Sequence, residues 1–280
     1  MKKRFISLLF VSLFALSGCA SEISPDKAEE VADDIKAYNY DAETISELKV
    51  QYKWSSYTEG NLDRKLNDYK QEESYNIELS GKFNYIHVKS KTSTKDKVES
   101  VEELNESESW FYMKNRMLYK VYRVKSKGNE TKKYNKVEKY SEAIKEFSSI
   151  FDSYVGGACQ LARGTPFLDS SIITDNVSNL SENQIEYIAK FYSSGSGNLR
   201  IAGAAKCEDY EFQGVPGKVV GALSASWNKY LLKSATLGIT VNATDGTSKN
   251  DIKQTVAVTE KVSKLIIPTY PGLSSYANGE

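Results

Sequence analysis

The strongest constraint on the fold is an alternation of period two that recurs along the chain. Leu48, Val50, Tyr52 and Trp54 are separated by Lys49, Gln51 and Lys53, so that segment has one dry face and one wet face. Tyr75, Ile77, Leu79, Gly81, Phe83, Tyr85 and His87 repeat the pattern as one longer run. Val219, Gly221, Leu223, Ala225 and Trp227 alternate again, followed by Ala235, Leu237, Ile239 and Val241, and then by Val256, Val258, Glu260 and Val262. Alternation on one face belongs to antiparallel strands that pack on one side and meet water on the other. No strand–helix–strand succession appears, which argues against a parallel sheet.

Between these runs the residues predict turns, loops and a few helices. Glu59-Gly60-Asn61 marks a turn. Residues 91–107, almost wholly charged or polar, read as an exposed loop. Trp110 to Met113 and Met117 to Val124 predict a hairpin around Lys114-Asn115-Arg116, and residues 125–136 are polar again. Asn228-Lys229 suits a hairpin tip before Tyr230, and Asp245-Gly246 centres a turn within 242–250. Ser24 and Pro25 form a helix start, with Ala28, Val31, Ile35 and Tyr38 at helical spacing. Tyr140, Ala143, Ile144, Phe147, Ile150, Phe151 and Tyr154 form a second apolar stripe, with Gly156-Gly157 as its expected end. Ser181 and Gln184 match a capping box, flanked by Leu180 and Ile185 as a staple. That pattern predicts another helix through Ile188, Ala189 and Tyr192. Leu199 to Phe212 alternates imperfectly. Strands grouped beside segregated helices mean α+β: a curved antiparallel sheet covered by a few helices, which a family resemblance makes an open half-barrel.

The amino-terminal segment speaks to location. Lys2, Lys3 and Arg4 precede an apolar run from Phe5 to Leu16 that is too short for a transmembrane helix, which needs about 20 residues. The tetrapeptide Leu16-Ser17-Gly18-Cys19 closes it. Together these resemble a bacterial lipoprotein signal peptide ending in a lipobox. The resemblance implies removal of residues 1–18 and acyl chains on Cys19, hence a lipid-anchored protein on the extracytoplasmic face of the cell membrane. The alternative is an ordinary secretory signal cut near Ala15 or Ala20. The expected organisation is signal peptide 1–18, lipidated terminus and first helix 19–40, one half-barrel domain with two central helices over 41–267, and an irregular tail over 268–280.

Composition narrows the partners. The chain carries 37 basic and 37 acidic side chains, and the leader takes three of the basic ones with it. A nearly neutral protein argues against nucleic acid as a main partner and against electrostatic docking on anionic lipid. Cys159 and Cys207 remain after Cys19. Export permits a disulfide between them, closing a loop of about 49 residues and worth roughly 4 kcal/mol on the chain-entropy model. Two separate buried thiols are the other reading.

No catalytic, metal or cofactor signature stands out. His87, the single histidine, ends a strand without a nucleophile elbow, and a half-exposed strand histidine is its expected role. Cys159 and Cys207 lack the close ligand pairs of zinc sites. Gly214-Val215-Pro216-Gly217 and Gly195-Ser196-Gly197 are turns and match no phosphate-binding loop. The aromatics Tyr52, Trp54, Phe83, Tyr85 and Trp227 lie on apolar strand faces. They read either as core or as the lining of an apolar cavity.

Element order, the lipobox and the stretch Leu223-Ser224-Ala225-Ser226-Trp227-Asn228-Lys229-Tyr230-Leu231-Leu232-Lys233-Ser234-Ala235 together resemble bacterial lipoproteins of the LolA, LolB and LppX type. The resemblance covers most of residues 40–267. It implies an unclosed curved sheet plugged by helices that binds a lipid or acyl group in its concave face, without enzymatic activity or cofactor. The alternative expectation is a cell-surface interaction or scaffold lipoprotein, with a protein partner and no small-molecule ligand.

Overall fold

The computed structural model describes residues 20–38, 47–60, 69–96, 101–177, 179–212, 215–243, 248–260 and 266–279. Residues 1–19, which hold the expected signal peptide and Cys19, lie outside them. A short strand β1 (Ser21–Ile23) leads into helix α1 (Pro25–Ala37). Six strands follow: β2 (Glu47–Gly60), β3 (Tyr69–Ser80), β4 (Tyr85–Asp96), β5 (Val101–Lys114), β6 (Met117–Ser126) and β7 (Asn129–Val137). Next come the long helix α2 (Tyr140–Arg163) and the short α3 (Ser171–Asp175). A second meander then runs through β8 (Glu186–Ser193), β9 (Leu199–Phe212), β10 (Val215–Asn228), β11 (Leu231–Ala243) and β12 (Ser248–Glu260), and ends in the two-residue β13 (Ala277–Asn278).

All these strands form one sheet in the order β1-β8-β9-β10-β11-β12-β2-β3-β4-β5-β6-β7-β13. The fold is α+β, and the curved sheet does not close into a barrel. The two meanders join where β12 pairs antiparallel with β2. Only β13 on β7 is parallel. Helix α2 crosses the inner face from β7 and β6 over β5, β3 and β2 to β11. Its buried stripe, Ala143, Phe147, Phe151, Val155, Ala158, Cys159 and Ala162, recurs every three or four residues and meets Leu48, Leu79, Ile86, Leu118 and Leu237, all fully buried in the same cluster.

Several expectations are corrected. Helix α2 runs through Gly156-Gly157 and stops at Gly164, whose φ is 65°. Each interior glycine costs about 1 kcal/mol, but the apolar stripe continues past both, so packing outweighs propensity. At Ser181 the capping box forms, with the Ser181 N–H donating to Gln184 Oε1 at 3.0 Å, yet only a single 3-10 turn follows. Ile185, Tyr187, Ala189 and Phe191 then face the core at period two, and Ile188, on the other face, is 63% exposed. Pairing with β9 and β1 wins over helix propagation. A strand thus replaces one of the two expected central helices, and the short α3 is a separate element.

The loop expected over 91–107 consists largely of the ends of β4 and β5. Polar residues on both faces hide the period of a strand that is wet on both sides. Residues 129–136 likewise form β7, reached through a turn with positive φ at Lys127 (49°) and Gly128 (80°), as a two-residue hairpin requires. The run Tyr75–His87 is two strands broken by the turn Gly81–Asn84, so Ile86 pairs with Leu79 and Tyr85 with Ser80. Cys159 on α2 and Cys207 on β9 are not bridged; each packs as a small buried side chain in the core. The tail is ordered along 266–279, where it crosses the outer face of the sheet and adds β13 to its edge.

Candidate functional site

The five aromatics that read as core or as cavity lining divide among three places. Tyr52 and Trp54 sit half-buried on the inner face. They lie one step beyond Leu48 and Val50, along the strands and away from the core. Tyr75, the register partner of Tyr52, stands beside them. Tyr122 and Tyr154 extend this half-buried aromatic rim along α2, with Phe111 edge-on to Tyr122 at 5.7 Å and tilted to Tyr154 at 5.6 Å. Burial pushes the phenols of Tyr75, Tyr122 and Tyr154 above their usual range. Beyond the rim the inner face turns polar: Glu73 and Thr92 are exposed, and Ser90 and Ser107 are hydrogen-bonded to each other at 2.8 Å.

Trp227 is core. Its indole N–H donates to the Arg163 carbonyl at 2.8 Å, satisfying one of the last carbonyls of α2. Phe83 and Tyr85 lie on the opposite face of the sheet, because the turn at Gly81–Asn84 changes the parity of the run. There Tyr85, Trp110, Tyr112, Tyr119, Val121 and Ile266 form a second, smaller core, with Phe83, Leu273 and Tyr276 packed against it. The tail is its lid. Tyr85 Oη donates to the Thr269 carbonyl at 3.1 Å, and burial drives its phenol far above the usual range. Burial also pushes the Tyr112 phenol up to about 12. Where the tail begins, the buried carboxylate of Glu47 accepts from Ser80 Oγ at 2.5 Å and from the Ile266 N–H at 2.7 Å.

His87 is part of a charged row across the outer face that sequence reasoning missed. Its ring stacks on Trp110 at 5.0 Å and 7°. Nε2 lies 2.9 Å from Glu108 Oε1, and Nδ1 lies 3.6 Å from Glu78 Oε2. Lys49 Nζ donates to Glu78 at 2.5 Å, and Arg123 reaches Glu108 at 3.5 Å and Glu130 at 2.6 Å. His87 first, and then Lys49, hold the Glu78 carboxyl down to about 2. The signal for this row is strand register, since its contacting members lie 7 to 29 positions apart. Both imidazole nitrogens face carboxylates, so the arrangement cross-links neighbouring strands of the face. The adjoining dent holds about 10 Å³, barely room for one water. Among the described residues, no group of three His, Cys, Asp or Glu side chains is placed to hold a metal ion.

A cleft of about 490 Å³ opens at the far ends of β2–β4, lined by Lys53, Trp54, Ser55, Glu72, Glu73, Ser74, Lys91 and Ser93. Lys53, Ser74 and Lys91 are register partners on the outer face. Trp54 is the one large apolar side chain in that lining, so the cleft suits polar, charged contacts.

No protein-family model and no curated protein matches the chain. A solved acyl-CoA thioesterase II from Mycobacterium marinum aligns over 90% of this chain and 96% of its own, at 8% identity and a TM-score of 0.14. So low a score carries no argument about fold or activity.

Proposed function

We propose that the chain is an extracytoplasmic lipoprotein, tethered through Cys19, that works as a non-enzymatic interaction module for a macromolecular partner. The observation that carries this is the filled inner face. Helix α2 occupies the concavity in which a lipid carrier would keep a void, and the described cleft is lined by lysine, serine and glutamate with Trp54 as its one large apolar side chain. Close-packed interiors leave no room for an acyl chain. A second reading, binding of an apolar ligand, is supported by the half-buried rim of Tyr52, Trp54, Tyr75 and Tyr154.

The test takes the protein from its native membrane, extracts it and analyses the lipid by mass spectrometry. Acyl chains on Cys19 and no further stoichiometric lipid are expected. One retained lipid per chain would replace the interaction module with the carrier. Labelled palmitate should enter the wild type and fail to enter Cys19→Ser; incorporation into that variant would overturn the anchor.

A further inference from the structure

Strand direction alternates through both meanders, so every second turn falls on the same rim of the sheet. Ser21 marks that rim, because it pairs with Ser193, the last residue of β8. The turns there are Gly81–Asn84, Asn115–Arg116, Ser194–Asn198 and Lys229–Tyr230. Lys82, Lys114, Arg116 and Lys229 are exposed on or beside them, and none of the four turns contains an acidic residue. Large apolar side chains accompany the bases. Ile267 is 84% exposed, Tyr270 45% and Tyr140 43%, and the Arg116 guanidinium lies 4.7 Å from the Tyr140 ring. Described acids at or near this rim are Glu22 of β1, which faces Lys190 at 3.6 Å, the buried Glu47, which accepts from Ser80 and Ile266, Glu138, Glu142, which is paired with Lys139, and Asp33 and Asp34 of α1. The opposite rim mixes signs, with pairs such as Lys127–Glu103, Lys70–Glu72 and Lys132–Glu130.

We propose that this basic, aromatic rim lies against an anionic phospholipid surface and sets the orientation of the protein on its membrane. The proposal rests on the lipid anchor at Cys19. From Cys19 to Ser21 the chain spans two residues, at most about 7 Å when extended. The tether holds the β1 end of the rim within about one Debye length, roughly 8 Å, of the headgroups, and the proposed orientation brings the turns further along the sheet to the same depth. Lysine and arginine at that depth are drawn to anionic headgroups, and tyrosines sit at the interface with the ring in the apolar layer and the hydroxyl in water. The same orientation turns the charged far ends of β2–β5 and their cleft outward, toward a soluble or cell-surface partner.

The experiment uses the lipidated protein in vesicles of phosphatidylcholine with about 30% phosphatidylglycerol. Cys159 and Cys207 are buried and Cys19 would be acylated, so a cysteine introduced by Ser194→Cys, Ser141→Cys or Asn129→Cys takes an environment-sensitive dye selectively. Quenching by lipids that carry spin labels near the headgroup is expected for the dyes at 194 and 141, both by the rim, and not for the dye at 129 on the opposite rim. Changing Lys82, Arg116 and Lys229 together to glutamine should reduce that quenching. It should also weaken binding of the unlipidated Cys19→Ser chain to the same vesicles roughly 100-fold, at about five-fold per cation. Equal quenching at all three positions, or vesicle binding indifferent to the triple change, would overturn the proposal. A chain found unmodified at Cys19 by mass but still binding through this rim would refute the anchor alone. An acylated chain whose dyes at 194 and 141 stay unquenched would refute the rim alone.

Discussion

Changing Glu47 to alanine should unlatch the tail and cost about 3 kcal/mol. The Glu47 side chain is 4% exposed and its carboxylate accepts from two groups that are as deeply buried, the Ser80 hydroxyl at 2.5 Å and the Ile266 N–H at 2.7 Å. A buried donor left without an acceptor costs about 1–3 kcal/mol, and the range is higher when the lost partner is charged. The Ser80 hydroxyl can rotate and already lies 3.4 Å from the Phe83 N–H, so its share falls at the low end. The Ile266 N–H is fixed by the backbone, so its share falls at the high end. With a urea m-value of about 3 kcal/mol/M for a chain of this size, the midpoint should drop by about 1 M at constant m. Chymotrypsin should cleave after Tyr276, which is followed by Ala277, faster than in the wild type, because the tail loses its latch before the sheet unfolds. A cycle of Glu47→Gln, Ser80→Ala and the double variant should show a coupling of about 1 kcal/mol. A midpoint shift under about 0.2 M, or strictly additive behaviour in the cycle, would refute the assignment of Glu47 as the acceptor that fastens the tail.

Two further perturbations test the rest of the structure. Gly164 has φ +65°, and a Cβ there would meet Leu232 Cδ2 at 2.8 Å, so Gly164→Ala should destabilise by about 2–4 kcal/mol; Gly156→Ala, in the open helix interior with nothing within 4 Å, should stabilise by about 0.5–1 kcal/mol, and urea midpoints of the same sign would contradict the helix end at 164. The Glu78 carboxyl titrates at about 2 in the folded protein against an ordinary 4.5, so its contribution is present above about pH 4.5 and is lost as the pH falls toward 2, on the order of 1–2 kcal/mol after screening. His87→Ala removes the largest cause of that depression and should flatten the fall in urea midpoint between about pH 5 and pH 3, whereas an unchanged acid limb would show that His87 does not hold the carboxylate.

Half of the outcome was legible in the side-chain pattern and half was not, for reasons that individual elements make plain. Where one strand face is dry and the other wet, as at Leu48–Trp54 and Val219–Trp227, alternation alone placed strand and face together. Where both faces are wet, as over residues 91–107, the same geometry leaves no period to detect. Ser181–Gln184 carries a correct local signal with the wrong continuation: the capping box is formed, but the residues after it pair with β9 and β1 instead of extending a helix. Tyr85 was assigned to the wrong face because a four-residue turn shifts parity by one, and in a strand one residue is the difference between core and surface. The near-zero net charge is a sum over the chain and carries no position, while the turns place Lys82, Arg116 and Lys229 along one rim.

The sequence by itself determined the class of the fold, the dry faces of the main strands and the first helix with its Ser24 cap. All of these are local: each depends on side chains within a few positions of one another. Only the tertiary structure decided that β12 meets β2 to make one sheet, that the tail covers a second core built on Tyr85 and Trp110, that His87 falls between Glu78 and Glu108, and that Cys159 and Cys207 stay apart. Each of these depends on register and on contacts between distant segments. Such contacts are selected by the burial of the whole sheet, and no short window of residues encodes them.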